Sequence, residues 1–103
     1  MLRGLFVSSN VEKGAEGITL TDPDTTLDTV RMNIGCMDIV RTAVGASFVI
    51  IHAGVVDDET PVNVRLSMLS GYMIQGHGYL FGQTEDGNIT NLPRNVYDHL
   101  IGT

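Results

Sequence analysis

The spacing of apolar residues predicts that the N-terminal part of the chain forms strands. An apolar run at residues 2–8 indicates a first strand, and residues 18–20 indicate a short second strand. Between them, residues 10–17 carry Gly14 and Gly17 among charged positions. That composition is typical of a loop, so we expect a loop over 10–17.

The strongest helix signal lies at residues 23–34. Asp22, which precedes a proline, can accept hydrogen bonds from the first backbone N–H groups of a helix. Leu27, Val30 and Ile34 recur at helical spacing, and a glycine follows them. We therefore expect a helix that packs this apolar stripe against the core.

Two adjacent strands are predicted on either side of Gly45, at residues 36–44 and 46–53. Both segments are rich in β-branched residues, and a glycine between them suits a turn. Residues 48–51 show no polar alternation, so that strand should be central or buried on both faces. The acidic residues within 54–61 indicate a solvated loop.

Residues 62–70 fit either a strand or a helix. Every second residue from Val62 to Met68 is apolar, as in a strand, but the segment also carries apolar residues at helical spacing. A threonine–proline pair at 60–61 is a helix start signal, and Gly71 is a stop signal. These two signals favour a helix.

Residues 72–92 are predicted to form a strand, a turn and a second strand. The Asp86-Gly87 pair favours a tight hairpin turn in which both central residues adopt a positive φ. A proline ends the second strand, and residues 95–101 suit a short closing helix.

Together these elements predict an α+β fold, with a small, mainly antiparallel sheet of about five strands and one to three short helices. One domain is expected over residues 1–103, because the length suits a single core. The predicted core residues are Leu5, Val7, Leu27, Val30, Ile34, Ile39, Phe48, Ile50, Leu80 and Leu92.

Composition narrows the classes of function. The chain has 6 Lys and Arg against 12 Asp and Glu, a formal net charge of −6, so no nucleic-acid partner is expected. Cys36 is the only cysteine and cannot form an internal disulfide. No apolar run approaches the ~20 residues that span a bilayer, and no signal-peptide pattern is present. We therefore expect a soluble cytoplasmic protein without membrane contact.

Cysteine and histidine positions indicate no catalytic or metal site. Cys36 follows the C-terminal end of the predicted helix, where the helix dipole disfavours a thiolate, so a buried structural role is favoured. His52, His77 and His99 are too far apart in sequence for the local ligand pairs of zinc sites. No metal, no cofactor and no catalytic residue are predicted.

The glycine-rich stretch at 76–82 is the strongest candidate for a binding site. Its glycines let the backbone approach a ligand closely, and arginines elsewhere could supply counter-charges to an anion. The alternative is a kinked or bulged strand, which is the favoured explanation of the glycines. The predicted ligand- or partner-binding residues are Gly76, His77, Gly78, Tyr79, Arg65 and Arg94.

Two segments contain residues that are typical of turns: residues 27–40 (LDTVRMNIGCMDIV) and residues 85–95 (EDGNITNLPRN). They resemble the helix–glycine–strand segment and the acidic hairpin of an uncharacterised family of small phage and actinobacterial proteins. Gly35 stands alone where a pair of glycines is common in that family. The resemblance implies a phage or prophage source and no particular activity.

The leading hypothesis is a small acidic, non-enzymatic binding protein, phage-encoded, that engages or inhibits a host protein in the host cytoplasm. The alternative is a protein that binds or sequesters a nucleotide signal around 76–82, which requires arginines to converge on phosphate oxygens. A small enzyme with a site between subunits is a third hypothesis. Exposed sheet edges in so short a chain also predict a homodimer.

Overall fold

The chain folds into one antiparallel sheet with helices packed on both faces, which confirms the α+β prediction. The computed structural model describes residues 2–13, 15–20, 30–32, 34, 38–45 and 47–101. The strands are β1 (Leu2–Val7), β2 (Ala15–Leu20), β3 (Ile39–Val44), β4 (Phe48–Ala53), β5 (Gly78–Gln83) and β6 (Ile89–Thr90). The helices are a 3-10 turn (Val11–Lys13), α1 (Val64–Ser70) and α2 (Arg94–Ile101), and residues 30–32 and 34 are also helical.

The six strands are ordered β2-β1-β5-β4-β3, and β6 pairs with the end of β5. β1 pairs with the first half of β5 and then diverges, so β6 fits beside Gly82 and Gln83. The backbone N–H of Leu92 donates to the carbonyl of Arg3 at 2.9 Å, which closes the gap between β1 and β6. Among the described residues, β2 and β3 are the two edges of the sheet.

The predicted loop at 10–17 is wrong in its second half. β2 begins at Ala15 and pairs with all six residues of β1. Gly17 lies inside this strand. The residue is a glycine because the phenol group of Tyr97 packs directly over it and leaves no room for a side chain. The glycine therefore marks a close approach of α2 to the sheet.

Side chains fill both faces of the sheet. The Leu80 face holds the buried residues Leu5, Val7, Ile50, Leu66, Ile74, Leu80 and Leu92. The Phe81 face holds the buried residues Val30, Val49, Ile51, Tyr79 and Phe81. α1 and α2 cover the Leu80 face, whereas Val30 and the half-buried Ile34 pack against the Phe81 face. The prediction that residues 48–51 form a strand buried on both faces is confirmed.

Most of the predicted core is correct. Leu5, Val7, Val30, Ile50, Leu80 and Leu92 are buried, and Ile34, Ile39 and Phe48 are half-buried. The prediction missed Val49, Ile51, Leu66, Ile74, Tyr79 and Phe81. Of these, Val49 and Ile51 lie in the run 48–51, whose expected burial on both faces already implied them. Tyr79 and Phe81 were missed because the sequence does not show that β5 is also covered on both faces.

The segment at 62–70 is helical from Val64, as favoured, but the start signal was misplaced. Asn63 caps α1, because its side-chain oxygen accepts a hydrogen bond from the N–H of Leu66 at 3.1 Å. Val62 instead forms an isolated antiparallel bridge with Gln75. Gly71 ends the helix in the left-handed conformation (φ 78°), as predicted.

The hairpin between β5 and β6 differs from the predicted turn. Only Gly87 has a positive φ (83°), and Asp86 does not. The N–H of Gly87 donates to Thr84 O and the N–H of Thr84 donates to Asn88 O, both at 2.9 Å. This three-residue loop needs a single left-handed residue, so the strict two-residue turn is wrong. β6 is also shorter than the predicted 89–92.

Several predictions fall partly or wholly outside the described residues. Most of the predicted helix at 23–34, with Asp22 and Leu27, lies there, and so does Cys36. The predicted strands at 36–44 and 46–53 are present but begin at Ile39 and Phe48. Within the described part of the chain, no helix is long and apolar enough to cross a membrane.

Candidate functional site

The residues predicted to form one site lie on opposite faces of the sheet. His77 and Tyr79 contact Phe6 on the Phe81 face. Arg65 lies on α1 and Arg94 on α2, and both helices pack against the Leu80 face. Arg94 is solvent-exposed and pairs with Asp98, its Nε 3.7 Å from the carboxylate. The two arginines therefore do not converge on His77.

The glycines at 76 and 78 are explained by backbone geometry and packing. Gly76 has a φ of 83°, and its N–H donates to Pro61 O at 2.8 Å. A methyl group on Gly78 would overlap Cδ1 of Leu66, so this position keeps α1 close to the centre of the sheet. Neither glycine needs a ligand to account for it.

A cleft on the Phe81 face, which we call the aromatic cleft, contains the other two predicted residues. Its volume is about 280 Å³, and the described residues that line it are Phe6, Glu16, Ile18, His77 and Tyr79. The rings of His77 and Tyr79 lie 5.4 Å and 5.2 Å from that of Phe6, tilted by 57° and 47°. Tyr79 also stacks on Phe81, with ring centroids 6.1 Å apart, and forms the buried floor.

The sheet register brings these side chains together. Phe6 pairs with Glu16 on one side and with Tyr79 on the other, so the three residues lie in one row across β2, β1 and β5. Directly paired residues point to the same face with their Cβ atoms about 5 Å apart. His77 lies two residues before Tyr79 and therefore adjoins the same row.

His77 is held in place by the chain that follows β1. The backbone N–H of Ser9 donates to Nδ1 of His77 at 3.2 Å. In this contact Nδ1 of His77 is the acceptor, which leaves Nε2 as the ring nitrogen outside the hydrogen bond to Ser9. The hydrogen bond thus fixes the orientation of the ring as one wall of the cleft.

A second cavity lies beside the edge strand β3, and we call it the edge groove. It has a volume of about 400 Å³ and is lined by Arg41, Thr42, Ala43, His52, Tyr72, Met73 and Ile74. Tyr72 and Met73 are 64% and 74% exposed, and Met68 in the preceding helix is 80% exposed. Large apolar side chains therefore reach solvent on this side of the molecule.

His52 forms one wall of the edge groove and is fully hydrogen-bonded. Its Nδ1 lies 3.1 Å from Ala53 O, and its Nε2 lies 2.8 Å from Oγ1 of Thr42. A neutral imidazole that donates from Nδ1 and accepts at Nε2 satisfies both contacts. Burial lowers the pKa of His52 below 6.5, and the hydrogen bond to Ala53 only partly opposes this shift.

Comparisons with known proteins identify no relative. No family model matches the chain, and no curated protein or solved structure matches it significantly. The resemblance to the phage and actinobacterial family therefore stays a hypothesis. In the described part of the chain, no three His, Cys, Asp or Glu side chains come together as metal ligands would.

Sequence reasoning missed the partners that complete both cavities. Phe6, Glu16 and Ile18 are distant in sequence from His77, and only the pairing of β1 with β2 and β5 brings them near it. For the edge groove one signal was available. Tyr72 and Met73 follow the helix stop at Gly71 as bulky apolar residues that no predicted core required.

Proposed function

We propose that this protein is a small acidic, non-enzymatic binding protein that holds an extended segment of a partner protein in the edge groove. The observation that carries the proposal is the exposure of Tyr72 and Met73 beside an open sheet edge. Tyr and Met are enriched at protein interfaces, and the flexible Met side chain adapts to varied partners.

The open edge supports an extended partner. No described strand pairs with the outer side of β3, so alternate N–H and C=O groups of this strand point away from the sheet. A partner strand that adds to β3 would satisfy these groups, and its side chains would enter the adjacent groove. Backbone pairing supplies affinity, while Tyr72 and Met73 select apolar side chains.

Charge indicates which segment the groove prefers. With His52 neutral, Arg41 is the charged side chain among the described residues that line the groove. An apolar segment with one acidic residue opposite Arg41 therefore fits better than a basic one. If the chain is phage-encoded, as the resemblance implies, the partner is a host protein in the host cytoplasm.

The test combines site-specific crosslinking with two lysine variants. A photoreactive phenylalanine analogue replaces Tyr72 in the full chain, and crosslinked proteins are identified in extracts of several bacteria. Ala43→Lys places a charge on the exposed edge of β3, whereas Asn88→Lys makes a matched change in the exposed β5–β6 turn. We expect Ala43→Lys to abolish the crosslink and Asn88→Lys to retain it, because a lysine on an edge strand blocks strand addition.

Two results would contradict the proposal. One is equal crosslinking of the same partner by both lysine variants, which would move the interface elsewhere. The other is the absence of any saturable partner in all extracts.

A further inference from the structure

We propose that the aromatic cleft binds a small N-methylated ammonium ion, such as choline. The cleft combines aromatic side chains, a carboxylate and a small volume in one place. This inference does not rest on the proposed function, because the aromatic cleft and the edge groove share no described residue.

The rings provide the attraction for a cation. Phe6, His77 and Tyr79 line the cleft, and the ring of Phe6 packs against the other two rings, with centroids 5.4 Å and 5.2 Å apart. Because Tyr79 is buried, Phe6 and His77 supply most of the aromatic surface that a ligand could contact. A cation is attracted to the negative face of an aromatic ring, and methylated ammonium ions are well suited because they shed water easily.

The acidic residue in the cleft and the net charge of the chain are both negative, as a site for a cation requires. Glu16 is the acidic residue among the described lining side chains, and its pairing with Phe6 places it beside the ring. The chain as a whole carries a net charge of −6, which raises the local concentration of cations. An anionic ligand would meet repulsion from both sources.

The size of the cavity favours a free small ion. Its volume of about 280 Å³ lies just below the ~300–1,000 Å³ typical of sites for drug-sized ligands. Ile18 supplies an apolar wall for methyl groups, while the exposed Glu16 keeps the mouth polar. A quaternary ammonium headgroup matches this combination of an apolar wall, aromatic side chains and one carboxylate.

The test is a titration followed by the ring-proton NMR resonances of Phe6 and His77 at constant ionic strength. The probes are choline, tetramethylammonium, acetylated trimethyl-lysine, and the uncharged isostere of choline in which carbon replaces nitrogen. We expect the first two to shift both sets of resonances with millimolar dissociation constants. The isostere should bind at least about threefold more weakly, because it lacks the cation–π contribution.

Three variants separate the contributions of ring and charge. Phe6→Leu keeps an apolar wall but removes the ring face, and should weaken choline binding about threefold to thirtyfold. Glu16→Gln should weaken it about twofold to fivefold, because an exposed charge contributes little. Glu12→Gln makes the same charge change on the exposed 3-10 turn outside the cleft and should leave binding unchanged.

The possible results are decisive in each direction. Binding of the isostere as tightly as choline, or equal effects of Glu16→Gln and Glu12→Gln, would overturn the proposal. Tighter binding of trimethyl-lysine than of choline would overturn a free cation as the occupant. If Phe6→Leu fails to fold, the comparison of the two exposed glutamates and of choline with its isostere still decides the question.

Discussion

Asn63 places one buried amide between three separate parts of the chain. Its Nδ2 donates to Val7 O and to Gly76 O, each at 3.0 Å, while its Oδ1 accepts from the N–H of Leu66. The side chain is fully buried, so each of these bonds forms away from water. The amide therefore fixes the end of β1, the start of α1 and the turn before β5 relative to one another.

We expect Asn63→Asp to lower the free energy of unfolding by about 2–5 kcal/mol. The aspartate has nearly the same shape, but it replaces a donor of two hydrogen bonds with an oxygen that faces two carbonyl groups. Urea denaturation followed by circular dichroism measures the change. The matched control is Asn95→Asp at an exposed position, which should alter stability by less than about 0.5 kcal/mol. Equal effects of the two variants would contradict the role of Asn63.

His52 makes stability depend on pH. Its pKa is lowered in the folded protein, so between the folded pKa and 6.5 the unfolded chain binds more protons than the folded chain. Stability is therefore complete above pH 6.5 and falls as the pH decreases toward the folded pKa. We expect His52→Gln to reduce the loss of stability between about pH 7.5 and about pH 5.5, measured by urea denaturation at each pH. A loss as large in the variant as in the wild type would show that other groups cause it.

At the scale of elements, α1 is positioned by its contact with the middle of the sheet. Leu66 packs over Gly78, the residue at which β5 meets both β1 and β4. The absence of a side chain at this position lets the helix approach the strand closely. The edge groove depends on the same contact, because Tyr72 and Met73 lie just beyond the Gly71 cap that ends α1.

We expect Gly78→Ala to lower the free energy of unfolding by about 1–3 kcal/mol, because the new methyl group overlaps Leu66. Leu66→Ala alone should cost about 2–5 kcal/mol by leaving a cavity. In the double variant the new methyl occupies part of that cavity, so the two losses should sum to more than the loss in the double variant. A double-mutant cycle of urea denaturation midpoints measures this coupling, and strictly additive losses would show that the two residues do not interact.

At the scale of the whole molecule, one sheet serves two separate hydrophobic layers. β4 and β5 contribute buried side chains to both layers, so neither layer can form without the central strands. The same architecture leaves β2 and β3 as edges among the described strands. The homodimer expected from exposed edges stays a prediction, and the mass of the protein in solution measures it.

The sequence by itself determined the class of fold and the position of most elements. Local signals were sufficient for the continuous apolar run of β4, the helix stop at Gly71 and the closing helix, because each depends on neighbouring residues. Asn63 shows the limit of such signals. The preference for asparagine at the start of a helix is local. The two hydrogen bonds that its side chain donates to the carbonyl groups of Val7 and Gly76 depend on the tertiary fold.

Only the tertiary structure decided what surrounds the candidate site residues. Gly78 and Gly17 are glycines because the side chains of Leu66 and Tyr97, which belong to separate helices, pack directly over them in the folded chain. For the same reason His77 meets Phe6 and Glu16, while the arginines predicted beside it lie on helices over the other face. Strand register and the choice of face depend on pairing between distant segments, and a local pattern of residues does not specify that pairing.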